Sequence, residues 1–158
     1  MRLALQVGLV LVIAVLAYVL YWSITAPYQE QLERERETAI GRERLDDVRS
    51  ALISFRDAYN DYPSTLDSLV TFVETDSAWA PPDFEDEETR LSPFSSTDSL
   101  QISARNGAPL NYEVVQQTDS TGTPTGVKIY WLQDPAAPGE SIGSRDANPS
   151  NRNRESWI

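Results

Sequence analysis

The chain has 158 residues, enough for one membrane anchor and one small domain, and its acidic residues outnumber its basic residues by 24 to 13. A net charge of −11 repels phosphate backbones, so we expect no nucleic acid partner. Cysteine and histidine are absent from the sequence, which excludes disulfides, Cys- or His-ligated zinc and Ser-His-Asp or Cys-His catalysis. We therefore expect no enzyme activity and no catalytic residue.

The N-terminal segment is apolar throughout. From Leu3 to Ile24 it has 22 residues without a formal charge. As a helix it would span ~33 Å, enough to cross the hydrocarbon core of a bilayer. Aromatic side chains near its end favour a membrane interface: Tyr18, Tyr21 and Trp22. We predict a transmembrane anchor over residues 1–27, surrounded by lipid.

A cleaved signal peptide is the main alternative for this segment. Thr25-Ala26 offers a small-residue cleavage site, although the apolar run is longer than a usual signal core. Basic residues on the two sides of the run favour opposite orientations: Arg2 against Arg34, Arg36, Arg42 and Arg44. Because long domains cross largely regardless of such charges, we expect a single-pass protein of the cytoplasmic (inner) membrane with an extracytoplasmic C-terminal domain.

Residues 28–62 are predicted to form a stalk followed by an amphipathic helix. The first part is almost entirely polar, with Glu30 and Arg34 spaced as an i,i+4 pair, and is typical of a solvated stalk or of a surface that meets neighbouring subunits. The second part carries an apolar seam at spacings of three and four: Leu45, Val48, Leu52, Phe55, Tyr59 and Tyr62.

One helix is thus expected to reach about Tyr59, with a break or bend near Pro27 and a looser turn at Gly41. Asn60-Asp61-Tyr62-Pro63 should end it, because a residue before proline avoids the helical region.

Residues 63–158 are predicted to form a small α+β head with a loop-rich C-terminal tail. Ser64 or Thr65 can cap a short helix whose apolar face is Leu66, Leu69, Val70, Phe72 and Val73. Residues 76–99 look irregular, and their large apolar side chains are expected to pin the loop to the core: Trp79, Phe84, Leu91 and Phe94.

Three antiparallel strands are expected after this loop, over residues 100–104, 110–116 and 127–132. They would form a small sheet packed against the long helix. The tail from Gln133 to Arg154 is rich in turn-forming residues and is predicted to be loop, with Trp157 anchoring its end.

Several short motifs resemble type IV pilins and type II secretion pseudopilins. Ala26-Pro27-Tyr28-Gln29 is similar to the proline-containing exit of the pilin hydrophobic segment. Ala51-Leu52, followed by the segment from Tyr62 to Leu69, resembles the pseudopilin helix end and its "YP.t...L..L" pattern. Weaker likenesses to its "G.P..Y" and "SLGaDG" stretches are Gly107-Ala108-Pro109-Leu110-Asn111-Tyr112 and Ile142-Gly143-Ser144-Arg145-Asp146. The resemblance implies a pilin-like fold and a role in assembly.

The chain departs from that family at the prepilin cleavage motif. No glutamate precedes Glu30, and when Pro27 is aligned with the pilin proline, Val10 takes the place of the glutamate that the family uses in polymerisation. The resemblance therefore predicts a pilin-like head on a retained single-pass anchor.

Candidate sites are few. The resemblance suggests a calcium loop, for which Glu140, Asp146, Asn148 and Asn151 offer oxygen ligands, although arginines lie among them and a solvated loop is the favoured interpretation. The acidic cluster from Asp83 to Glu88 is expected to be solvated. Asp46-Asp47 is expected on a charged helix face without a pocket that would raise a pKa. The aromatic side chains are assigned to the core: Tyr59, Tyr62, Tyr112, Tyr130 and Trp131.

Three functional hypotheses follow. The first is a non-enzymatic, membrane-anchored structural or assembly protein resembling a pilin or pseudopilin, whose partners are other membrane-embedded subunits, including copies of itself. The second is a single-pass accessory subunit of a larger membrane complex, with an extracytoplasmic docking domain. The third, a carboxylate-dependent hydrolase, needs two carboxylates in an apolar pocket, and no spacing in the sequence indicates one. No cofactor or metal site is predicted beyond the weak calcium candidate.

Overall fold

The computed structural model describes residues 2–75, 79, 91, 96–146 and 149–158, with side chains described except at residues 2–5, 24–27 and 149. The chain divides into an N-terminal unit, Met1–Thr38, and a C-terminal unit, Ala39–Ile158. Helix α1 (Arg2–Tyr59) begins in the first unit and ends in the second. The C-terminal unit adds helix α2 and strands β1, β2 and β3, at Leu66–Thr75, Asn111–Thr118, Pro124–Gln133 and Ser141–Gly143. The predicted α+β class is confirmed, whereas the predicted boundaries after residues 27 and 62 stay predictions.

Helix α1 is one uninterrupted element, so a break of the helix near Pro27 is wrong, while the alternative of a bend there stays a prediction. A proline removes a single backbone donor, and the flanking turns can still form. The predicted end at Tyr59 is confirmed. Asn60 follows with a φ of 54°, and its N–H donates to the Arg56 carbonyl at 2.7 Å. Asparagine tolerates this left-handed conformation and so ends the helix.

The core of the C-terminal unit joins both helices to one face of the sheet. Helix α1 contributes Leu45, Val48, Ala51 and Leu52, all fully buried, and α2 contributes the five apolar residues predicted for it. Phe55 is only partly buried and Tyr59 is 62% exposed, so the predicted seam ends about one turn before the helix does. Helix α2 begins as predicted, with the Ser68 N–H donating to Thr65 Oγ1 at 3.3 Å.

The sheet is antiparallel in the order β1-β2-β3. Tyr112 pairs with Leu132 and Val114 with Tyr130, so alternate residues of both strands face the core. The predicted strands at residues 110–116 and 127–132 are confirmed, and the second begins three residues earlier.

The predicted strand at residues 100–104 is wrong. Thr97–Gln101 forms a 3-10 helix, and the pairing that remains is an isolated bridge between Ile102 and Pro109. The buried residues Ser99, Leu100 and Ser103 recur at a helical spacing, whereas a strand would bury every second residue. The alternation of apolar and polar residues in so short a segment was therefore misleading.

The third strand comes instead from the tail that was predicted to be loop. In β3, Ile142 is fully buried and pairs with Leu132, and a second bridge joins it to Glu155. Trp157 packs on the core, which confirms its predicted anchoring role, and so does Trp79, whose Nε1 donates to Ser50 Oγ at 3.2 Å. Leu91 is exposed, so its predicted packing is wrong, while Phe84 and Phe94 lie outside the described residues.

Gly143 is required where β3 meets β2. Its φ is +84°, and a Cβ atom there would collide with the carbonyl of Tyr130. We predict that Gly143→Ala lowers the free energy of unfolding by about 2 kcal/mol or more, since backbone strain and a steric clash add. Gly139→Ala is the control, because nothing lies within 4 Å of its Cβ position. Urea unfolding followed by tryptophan fluorescence checks this, and equal stability of the two variants would contradict it.

Candidate functional surfaces

The apolar stretch of α1 between residues 6 and 23, hereafter the apolar run, is exposed on every face. Its large side chains from Val7 to Trp22 are between 53% and 68% exposed, and an 18-residue window of this helix has a mean hydropathy of 2.5 with none of it buried. Covering thirteen such side chains would be worth on the order of 20 kcal/mol. That exceeds the total stability of ordinary domains, ~5–15 kcal/mol. This helix is long and apolar enough to cross a membrane.

The polar stretch after the run presents charge to solvent. Glu30 and Arg34 form the predicted i,i+4 pair at 3.8 Å, and both side chains are well exposed. Such a pair contributes at most a few tenths of a kcal/mol, ~0.3–0.5. The pair therefore matters more for which charged partners this surface can bind than for the stability of the helix.

A charged cluster, made of Gly41, Arg42, Arg105, Asp134 and Glu140, fastens two loops to α1. Arg105 pairs with Glu140 and lies 3.6 Å from Asp134, whose side chain is only 1% exposed. Arg42 binds the same Glu140 at 2.9 Å. Gly41 makes room for the guanidinium, since a Cβ there would lie 2.5 Å from Arg105 Nε. Gly41 is thus a packing site within an intact helix, and the predicted loosening is wrong.

We predict that Gly41→Ala destabilises the C-terminal unit, although alanine normally stabilises a helix by ~1 kcal/mol relative to glycine. The new methyl group displaces Arg105 from the buried Asp134, and an uncompensated buried charge is costly. The expected net loss is only about 1 kcal/mol of unfolding free energy, because the clashing atoms are the flexible end of the Arg105 side chain and can shift. Gly8→Ala is the control in the same helix, with nothing within 4 Å of its Cβ position. Urea unfolding in detergent measures both, and a Gly41→Ala variant as stable as the wild type would contradict the prediction.

A second set of contacts holds the C-terminus against α1. Arg49 pairs with Glu155 and lies 3.0 Å from Asp46, and the Arg42 guanidinium lies 5.3 Å from the centre of the Trp157 ring. The contacts of Arg49 with Glu155 and of Arg42 with Trp157 join residues more than a hundred positions apart. The last residues of the chain are therefore packed against α1.

Asp46 and Asp47 lie on a charged face of α1 as expected, but the expectation that nothing there raises a pKa is wrong. Asp47 is buried, and burial raises the pKa of Asp46, a shift that Arg49 opposes and that Glu155, Asp47 and Glu43 reinforce. The neighbouring tail and loops desolvate this helix face, which the sequence pattern alone could not indicate.

This pKa shift makes a prediction about pH. Because the folded state holds the pKa of Asp46 above its usual 3.8, the folded state is relatively favoured when this carboxyl is protonated, and stability falls as pH rises through the raised pKa. Asp46→Asn should then match the wild type below that range and exceed it slightly at neutral pH. The gain is expected to be well under about 1 kcal/mol, because the side chain is 42% exposed.

Urea unfolding between pH 3 and pH 7, roughly the range in which carboxyl groups titrate, measures this difference. Asp57→Asn removes the same charge from an exposed site of the same helix and controls for the reduced net charge. An equal gain in both variants would contradict a local effect at Asp46.

The calcium candidates are not assembled as a site in the described residues. Glu140 is engaged by Arg42 and Arg105, Asp146 lies in an exposed bend, and Asn151 ends a 3-10 helix at Pro149–Asn151. Asn148 and the cluster from Asp83 to Glu88 lie outside the described residues. In the part of the chain that is described, no group of three or more Asp or Glu side chains is placed to hold a metal ion.

The aromatic side chains divide between core and surface. Tyr62 and Tyr130 are buried with ring centres 5.1 Å apart, and the hydroxyl of partly buried Tyr112 donates to the Pro63 carbonyl at 2.8 Å. The core assignment is confirmed for these residues and is wrong for exposed Tyr59 and for Trp131. Trp131 lies on the opposite face of the sheet beneath Arg145, whose guanidinium is 3.6 Å from the ring centre.

Comparison of the chain with protein-family models, with curated proteins and with solved structures finds no significant match.

Proposed function

We propose that this chain is a non-enzymatic, membrane-anchored assembly protein of pilin or pseudopilin type. The apolar run crosses the cytoplasmic membrane once and packs beside other membrane-embedded helices, including copies of itself. The N-terminus lies inside, and the C-terminal unit lies on the extracytoplasmic side. The polar stretch at residues 28–38 meets the corresponding charges of neighbouring subunits.

The observation that carries this proposal is the uniform exposure of the apolar run. A helix that is apolar all round lies in a membrane or within a large protein core, and none of the most apolar window of α1 is buried. Its length fits a hydrocarbon core of ~30 Å. The C-terminal unit has its own apolar core, which leaves the run available for lipid and for other helices.

The use of charge in the C-terminal unit supports a structural role. Long-range ion pairs fasten loops and tail to α1, such as Arg42–Glu140 and Arg49–Glu155. Carboxylates held by guanidinium groups in this way stabilise a particular arrangement and are poorly suited to proton transfer. The order of elements also supports the pilin interpretation, since a helix with an apolar start is followed by a small antiparallel sheet.

One observation favours the second candidate, a single-pass accessory subunit of a larger membrane complex. Val10 occupies the position of the glutamate on which filament growth depends in the family that the chain resembles. A run without that carboxylate favours a partner with a plain apolar surface.

Disulfide crosslinking distinguishes the two candidates. Because the sequence contains no cysteine, each introduced thiol is the only one in its chain. Single cysteines are placed at each position from 6 to 23 in native membranes. Packing against copies predicts disulfide-linked dimers at positions three and four apart, for example Val7, Leu11, Ala14 and Tyr18, with little product on the opposite face at Leu9, Ile13, Leu16 and Leu20.

Disulfides between copies are formed with an oxidant. If the chain is instead an accessory subunit, a thiol-to-amine crosslinker used in place of the oxidant should link it to proteins of a different mass. Ser120→Cys, at an exposed turn of the C-terminal unit away from the run and the polar stretch, reports random collision and is the control. Equal dimer yields on all faces, or no adduct at any position, would contradict both forms of the assembly proposal.

A further inference from the structure

A small cleft in the C-terminal unit concentrates positive charge. It lies beside the end of α1, has a volume of about 190 Å³, and is lined by cationic side chains from three parts of the chain: Arg56, Lys128 and Arg152. Asp61 is the one carboxylate in the lining, and it pairs with Lys128. In a chain of net charge −11, three cations facing one acid are a local reversal of sign.

The two arginines of the cleft lack acidic partners. In the described residues neither Arg56 nor Arg152 forms an ion pair, in contrast to Arg42, Arg49, Arg105 and Arg145, which all do. Arg56 lies 6.0 Å from the centre of the Tyr62 ring, which orients its guanidinium beside the cleft.

Buried hydrogen-bonding capacity is also unused at this place. Tyr62 is 6% exposed, and its buried hydroxyl is approached only by the Arg56 guanidinium, which is itself a donor, while within the described part of the chain Arg152 Nε is buried without a hydrogen-bond partner. A buried donor without an acceptor costs ~1–3 kcal/mol, so such atoms are rarely left in this state without a reason. The groups around the cleft are short of acceptors, and an anion supplies acceptors alone.

The partial negative charge at the end of α1 opposes anion binding in the cleft, but it is smaller than the positive charge of the lining side chains. The C-terminus of a helix carries a partial charge of roughly −0.5, and Arg56 lies in the last turn of α1. Full charges on three cations still exceed that half charge together with Asp61 and with Asp57, whose charge acts on Tyr62 from the last turn of α1, so the net charge around the cleft is positive.

The volume limits the ligand to a small one. Sites for drug-sized molecules measure ~300–1,000 Å³, and 190 Å³ corresponds to about six water molecules at ~30 Å³ each. Guanidinium groups bind carboxylate and phosphate oxygens through paired hydrogen bonds. We propose that this cleft binds a small oxyanion of the phosphate or carboxylate class, held by Arg56 and Arg152, with Lys128 and Asp61 as a fixed pair at its edge.

An NMR titration of the full-length protein in an uncharged detergent tests this. Sodium phosphate and sodium acetate are added separately at constant ionic strength, with sodium chloride as the reference. The backbone amides of Gly126 and Lys128 and the Nε–H groups of Arg56 and Arg152 should shift and saturate with at least one oxyanion, while chloride gives no saturation. Phosphate alone or acetate alone identifies the preferred class.

Arg56→Gln and Arg152→Gln should each weaken binding about tenfold, the loss expected for one charged hydrogen bond. Arg56→Lys keeps the charge but loses the paired geometry, and should give a smaller loss. Arg154→Gln removes an exposed arginine outside this cleft and should leave affinity within about twofold. Dispersed amide spectra show which variants are folded.

The absence of saturable shifts with both oxyanions would overturn the proposal. An equal loss of affinity in Arg154→Gln would also overturn it, because binding would then reflect net charge alone. The result is independent of the proposed function, since it requires neither a bilayer nor a neighbouring subunit.

Discussion

The need to keep the apolar run of α1 out of water constrains everything else in this chain. Large side chains on all faces of that helix are exposed, and the free energy gained by covering them is larger than the total stability of an ordinary domain. The C-terminal unit meets the complementary requirement with a separate core, built from both helices and one face of a three-stranded sheet. The apolar side chains of the C-terminal unit are thus buried within that unit, whereas those of the apolar run have to be covered by other molecules.

Scarce positive charge has a structural use in the C-terminal unit. Its cations hold distant parts of an acidic chain together: Arg42 and Arg105 meet at Glu140, Arg49 meets Glu155, and the single lysine, Lys128, meets Asp61. Ion pairs of this kind add little stability relative to apolar packing. They define where each loop attaches to α1. The cleft beside Arg56 and Arg152 departs from this pattern, which is why it stands apart as a binding site.

The sequence predicted features with strong periodicity and missed those set by tertiary contact. The apolar spacing of Leu66, Leu69, Val70, Phe72 and Val73 predicted α2 correctly, and the residues around Tyr59 and Pro63 predicted the end of α1. Strand β3 has three residues with one buried side chain, Ile142, which is too short for any periodic signal. The packing of Arg105 on Gly41 joins residues far apart in the sequence, so only the folded chain shows it. The same holds for Asp46, whose pKa depends on a tail that was predicted to be loop.

Membrane integration of paired arginine variants tests whether the apolar run crosses the bilayer. Leu11→Arg with Val15→Arg places two charges near the middle of the apolar run, at a cost of ~5–7 kcal/mol for insertion. Tyr28→Arg with Leu32→Arg introduces the same charges, at the same spacing, into the polar stretch and is the control. If the run crosses the bilayer, the first variant leaves the membrane fraction on carbonate extraction and the control stays in it. Equal retention of the two variants would contradict the account.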